Sequence, residues 1–174
     1  MLEAAARYGL LMETSLDRTA SLFPGVIRNL VLALDGERVF VPISDLDADR
    51  PGDLVALEAA TGKGLWRARQ PEAKCSWGEK ACIGAQVAAP TAIPGVVFTS
   101  AWDGFVRAHA VVDGRLLWQF DTGRVFEGVN GSAQGGQIGG YPIQVVDGSV
   151  YVTSGASSQG KPGNALLVFR IPGR

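Results

Sequence analysis

The sequence predicts an all-β fold of propeller blades, about three four-stranded antiparallel sheets, and two observations predict it. The first is a repeat: D-L-V-A-L-E-A-A-T-G-K-G-L-W-R-A (53–68) lies without a gap on F-V-R-A-H-A-V-V-D-G-R-L-L-W-Q-F (105–120). Ala56 falls on Ala108, Gly62 on Gly114, Lys63 on Arg115, Leu65 on Leu117 and Trp66 on Trp118. The second is composition: 23 Gly and 9 Pro separate short Val-, Leu- and aromatic-rich runs, the pattern of many strands joined by tight turns. A period of about 50 residues with four strands per unit is that of propeller blades.

In chain order, residues 1–22 place Leu2, Ala6, Leu10 and Leu11 at helical offsets, but Gly9 interrupts them, so this part reads as an N-terminal arm or short helix. Residues 23–174 read as a partial propeller with blades at about 26–70, 86–122 and 138–171. The first blade reads as strands at 29–34 and 38–43 around Asp35-Gly36-Glu37, then 54–57 and 65–68 around Thr61-Gly62-Lys63. The second reads as 87–93 and 96–100 around Pro94-Gly95, then 105–110 and 116–120 around Asp113-Gly114-Arg115. The third reads as 141–146 and 149–154 around Asp147-Gly148, then 165–170, and stops after its third strand. Loops are expected at 127–140 and 154–164, facing a central channel.

The repeated residues have physical reasons. Gly62 and Gly114 supply the freedom of a tight hairpin corner. Trp66 and Trp118 each offer a flat face to pack on a neighbouring blade's turn, and small Ala56 and Ala108 leave room for it. A structural role is therefore read for both tryptophans.

Charge is nearly balanced, 16 Lys and Arg against 17 Asp and Glu, which provides no polybasic surface for nucleic acid or anionic membrane. No apolar run approaches the roughly 20 residues of a membrane span. The start M-L-E-A-A-A-R-Y-G lacks a basic n-region and a small-residue cleavage site, so no signal peptide is expected in this chain. Two cysteines, Cys75 and Cys82, with a single His and no C-x-x-C argue against a zinc site. They are either free thiols or a disulfide closing a short loop in an oxidising compartment; the spacing leaves both open.

The pattern A-x-x-x-x-x-G-[KR]-x-L-W resembles the tryptophan-docking motif of quinoprotein propellers, eight-bladed dehydrogenases that use pyrroloquinoline quinone. Further stretches follow in the order of that family: A-L-D-G-E-R-V-F-V-P-I-S-D (33–45), the cysteine pair, T-A-I-P-G-V-V-F (91–98) and D-G-F-V-R-A (103–108). After these come V-N-G (129–131), G-G-Q-I-G-G (135–140), V-V-D-G-S-V-Y-V-T-S-G (145–155) and P-G-N-A-L-L-V-F (162–169). Together they are similar to the C-terminal part of the polyvinyl-alcohol-dehydrogenase branch, over roughly residues 25–170. The resemblance implies a periplasmic or secreted protein, a Cys75–Cys82 disulfide, pyrroloquinoline quinone with calcium as cofactors, and an alcohol or polyol substrate if the chain is part of a complete enzyme. Two departures stand out. About three blades do not close an eight-bladed ring, so the chain is expected to be a fragment that is inactive alone and open to a chain supplying further blades. At Asn29-Leu30 the family often has Asn-Trp beside the cofactor, and here the aromatic is Leu.

Quinone-dependent alcohol oxidation needs a cation to polarise the quinone carbonyl and a carboxylate to take the alcohol proton. Asp45, Asp47 and Asp49 alternate like the first ligands of a calcium loop. Arg50 and Ala56, however, stand where an EF-hand needs Gly and Glu, and a solvated loop between strands explains the same residues. Asn29, Asn130, Gln134 and Gln137 are candidates for hydrogen bonds to a flat cofactor. The glycines around them either admit a ligand closely or simply let a long connector turn. Asp103 and Asp113 read as turn formers, His109 as a satisfied core or surface residue, and no catalytic residue is assigned. The rival functional class is a non-enzymatic propeller scaffold for protein–protein interaction, which would share the docking Trp without a cofactor.

Overall fold

The computed structural model describes residues 31–44, 52–78, 82–156 and 160–170. The expected N-terminal arm, Asn29 and the three aspartates Asp45, Asp47 and Asp49 lie outside the described residues.

The first sheet runs β1 (Ala33–Leu34), β2 (Arg38–Pro42), β3 (Leu54–Glu58) and β4 (Gly64–Ala68), each strand beside the next in sequence. The second repeats this with β5 (Thr91–Ile93), β6 (Val96–Ser100), β7 (Phe105–Ala110) and β8 (Leu116–Asp121). A two-stranded hairpin follows, β9 (Val125–Gly128) with β10 (Gly131–Gln134). The third sheet has β11 (Ile143–Val146), β12 (Ser149–Ser154) and β13 (Ala165–Arg170). Every strand pairing is antiparallel. The fold is all-β and its sheets are propeller blades.

The repeat extends to the fine structure of the ladders. Ala56 faces Trp66 and Ala108 faces Trp118, and in each blade the register slips at the next residue, so that Leu57 meets Gly64 and His109 meets Leu116. Leu65 and Leu117 are thus the extra residues of two equivalent bulges. The corners close alike: Glu58 N donates to Lys63 O at 2.8 Å, and Ala110 N to Arg115 O at 2.9 Å.

The blades meet through apolar faces. Alternate residues of β2 and β3 separate into two clusters. Val41, Val55 and Leu57 lie on one side; Phe40, Leu54 and Ala56 lie on the other. The second group, with Trp66, meets Val97 and Val111 of the second blade. That blade's opposite face, Phe98, Val106 and Ala108, meets Ile143, Val152, Leu167 and Phe169 of the third. Burial of each Val, Leu, Ile or Phe side chain among them stabilises by about 1.5–3 kcal/mol, so the seams between blades hold the stack together. The inner strands add polar links: Thr91 Oγ1 donates to Ile143 O at 2.8 Å.

Two expectations are corrected. The expected strand at 87–93 is β5 only from Thr91, because Ala88 and Ala89 instead reach the neighbouring connector, with a parallel bridge to Gly140 and a 2.7 Å bond from Ala89 N to Gly140 O. The expected loop at 127–140 holds the hairpin of β9 and β10, anchored by Phe126, which stacks on Phe120 at 6.2 Å.

Candidate functional site

Trp66 is laid across the second blade's outer hairpin. Its indole Nε1 donates to Val111 O at 3.0 Å, and a Cβ placed on Gly114 would come within 2.5 Å of its ring. Gly114 is at φ +73°, so two constraints select glycine there, the corner and the flat ring above it. Trp118 makes the corresponding move toward the third blade. Its ring meets Phe169 edge-on at 5.1 Å and stacks with Phe120 at 6.0 Å, and Arg124 lies over Phe120 at 4.9 Å.

Cys75 and Cys82 form a disulfide, with Cα atoms 5.6 Å apart. The loop it closes carries Trp77, which the sequence reading passed over. This ring covers Gly104 and Gly123: a Cβ on Gly104 would meet it at 2.9 Å, and one on Gly123 would strike it. A second tryptophan therefore seats on glycines, here with a covalent loop behind it.

The described polar candidates lie in different settings. Asn130 sits exposed at the tip of the β9–β10 hairpin. Gln134 is held: its Nε2 donates to Gly123 O at 3.0 Å and Gly135 O at 2.7 Å, and its backbone N–H meets Asn164 Oδ1 at 2.9 Å. Gln137 is buried, its N–H bonded to Lys161 O at 2.9 Å while its carbonyl accepts from Gly155 N at 3.1 Å. The glycines beside them face the protein's own backbone. Gly135 is pressed on Thr122 O, Gly136 on Lys161 O and Gly163 on Gln134 O. Earlier in the chain Gly52 is pressed in the same way on Gly84 O, and the equivalent Gly104 lies near Gly136 O. Ser154 Oγ joins the seam, accepting from Gly136 N at 3.0 Å and from Thr122 Oγ1 at 2.7 Å. These residues alone do not form a cradle for a planar quinone.

A buried polar group lies on the second blade's other face. Arg107 and Asp103 are paired through both carboxylate oxygens and are 2% and 0% exposed. Asp103 also accepts from Phe105 N at 3.0 Å, as its turn role requires. His109, at 1% exposure, places Nδ1 3.0 Å from Gly114 O and Nε2 3.4 Å from the Gln70 amide nitrogen. Those partners fit a neutral ring with the proton on Nδ1. Burial, opposed by the Gly114 carbonyl and helped by the Arg107 charge, holds its pKa below the usual histidine value. His109 is a satisfied core residue. Asp113 caps its corner by accepting from Arg115 N at 3.0 Å. Among the described residues no group of three or more His, Cys, Asp or Glu side chains is placed to hold a metal ion.

Repeated four-stranded blades, tryptophans seated on neighbouring hairpins and glycine-lined connectors define a propeller-repeat protein. The chain belongs to the PQQ_2 repeat family, described as outer membrane protein assembly factor BamB, which matches residues 19–158. It is 35% identical over 157 residues to a polyvinylalcohol dehydrogenase of Pseudomonas sp, covering 82% of this chain and 24% of that protein. It is 32% identical over 160 residues to the polyvinylalcohol dehydrogenase of Sphingopyxis sp. (strain 113P3), with the same coverage of 82% and 24%. The chain thus spans about a quarter of the length of the curated relatives it matches. Among solved structures it is similar to BamB from Moraxella catarrhalis, at 16% identity and TM-score 0.42 over 82% of this chain and 47% of that one. It is also similar to the quinohemoprotein alcohol dehydrogenase of Comamonas testosteroni, at 19% identity and TM-score 0.47 over 80% of this chain and 21% of that one. No helix among the described residues is long and apolar enough to cross a membrane.

Proposed function

We propose that the chain contributes blades to a larger quinoprotein-type dehydrogenase propeller that oxidises an alcohol or polyol, polyvinyl alcohol being the substrate class its relatives' names suggest. The observation that carries the reading is the identity to two polyvinylalcohol dehydrogenases across 82% of the chain. In this reading pyrroloquinoline quinone and calcium are held by several blades together. Asn29, Asn130, Gln134 and Gln137 supply at most part of the quinone's surroundings, and Asp45, Asp47 and Asp49 part of the cation's. Trp66 and Trp118 serve as docking residues between blades. The Cys75–Cys82 disulfide supports a periplasmic or secreted location, since such bonds persist in oxidising compartments.

A second reading, a propeller scaffold for protein–protein contact without a cofactor, is favoured by two observations. The family is described by an assembly factor, and the Gly-rich connector packs on its own backbone. The two are separated by a chimaera in which this chain replaces the matching quarter of a polyvinylalcohol dehydrogenase. Quinone-dependent dye reduction with polyvinyl alcohol supports the dehydrogenase reading. A folded chimaera that binds no quinone and reduces no dye supports the scaffold.

A further inference from the structure

The ladders of the three sheets correspond pair by pair, so their faces can be compared. On the face that the third blade turns to the second, Val150 pairs with Phe169 and Val152 with Leu167. At the same places the first blade pairs Val39 with Leu57 and Val41 with Val55. The second blade pairs Val97 with His109 and Thr99 with Arg107. Val97 meets Phe40, Leu54 and Ala56, so this face is the one laid on the first blade. Thr99, Arg107 and His109 are therefore polar residues, all buried, at positions where the other two blades carry only apolar ones.

Their hydrogen bonds do not close among themselves. Arg107 gives both terminal nitrogens to Asp103, and its Nε–H has no partner among the described residues; nor has the Thr99 hydroxyl. Gln70, buried just beyond β4, directs its amide nitrogen to His109 Nε2 at 3.4 Å and has its Oε1 left over. Turning that amide round would set the oxygen against the lone pair of Nε2, because Nδ1 carries the proton toward Gly114 O. The seam thus holds a free donor, a free acceptor and a hydroxyl able to act as either. A buried polar group without a partner is destabilising, and native interiors meet it with ordered water.

We propose that the seam between the first and second blades is a binding site for ordered water. Water accepts from Arg107 Nε–H, donates to Gln70 Oε1 and shares a hydrogen bond with the Thr99 hydroxyl, the mixed set of partners that a buried water needs. An ion fits less well, because the Arg107–Asp103 pair is already neutral. An anion would be set against Gln70 Oε1 and the Asp103 carboxylate, and a cation against the Arg107 guanidinium. Where Val152 and Leu167 join the second and third blades by apolar contact, water joins the first and second through directional bonds. The site stands whichever of the two functional readings holds.

The test follows the Arg107 Nε–H resonance in the isotopically labelled, full 174-residue chain. Expected is a nuclear Overhauser cross-peak with water, of the sign given by bound rather than passing molecules. Thr99→Val should leave the circular dichroism unchanged and reduce that cross-peak at least about twofold, one partner being gone. An Nε–H without water contact, one exchanging freely with bulk solvent, or a cross-peak indifferent to Thr99→Val overturns the inference. Should Thr99→Val fail to fold, a crystal structure of the unaltered chain decides. Water density within hydrogen-bond reach of Arg107 Nε supports the site; a dry seam, or Gln70 Oε1 bonded directly to Nε, overturns it. Crystals grown with bromide separate water from an anion: bromide scattering beside Arg107 would make this an anion site and overturn the proposal.

Discussion

Gly114 and Gly140 share almost the same backbone angle, φ +73° and +72°, but a Cβ on Gly114 would enter the Trp66 ring while one on Gly140 would meet nothing within 4 Å. Gly140→Ala should therefore lose only the left-handed backbone preference, about 1–2 kcal/mol, and Gly114→Ala about 1–3 kcal/mol more from overpacking. Urea unfolding of both variants checks this; equal losses would mean that Trp66 is not seated on the hairpin. His109 stands where the first blade has buried Leu57, each opposite a valine of the second strand. Its folded pKa lies below its unfolded value, so the unfolded chain binds the extra proton first. The contribution is fully present above about pH 6.5 and is lost as pH falls through the depressed folded value. His109→Leu should flatten stability against pH below about 6.5, measured as unfolding midpoints at a series of pH values. It should also lower stability at pH 7 by about 1–3 kcal/mol, because the Gln70 amide loses its partner.

At the scale of elements, four strands were legible to the residue. β6, β7, β12 and β13 coincide with their expected ranges, and the turns Pro94-Gly95 and Asp147-Gly148 mark the starts of β6 and β12, whereas the far ends of the partner strands β5 and β11 were overextended. The β9–β10 hairpin was not legible. Its strand Gly131–Gln134 carries no β-branched or aromatic residue, and Phe126 anchors it through contacts made only in three dimensions. The candidate site was less legible still. A glycine that admits a ligand and one that admits a neighbouring carbonyl look the same in sequence, and Gly135 and Gly136 are of the second kind. Spacing also left the cysteines undecided, and nothing in it marks Trp77 as the ring their loop carries over Gly104 and Gly123. Replacing both cysteines with Ser should cost about 2–3 kcal/mol and expose the Trp77 seam, read as a lower denaturation midpoint with red-shifted tryptophan emission. An unchanged midpoint would show that the loop is held by packing alone.

For the whole molecule, each blade is stabilised by the blade after it: Trp66 reaches the second, Trp118 reaches Phe169 of the third, and the third leaves Leu166 and Val168 uncovered. A ligand on the axis of such a stack is gripped by residues from many blades. Asn130 at an exposed tip and Gln137 in the core do not make a grip by themselves. The most direct measurement is calorimetric titration of the isolated chain with pyrroloquinoline quinone plus calcium, with light scattering to report its state of association. The part-of-a-ring reading predicts no saturable heat at micromolar quinone. Stoichiometric micromolar binding by a well-behaved monomer would contradict it and make these blades a competent site on their own.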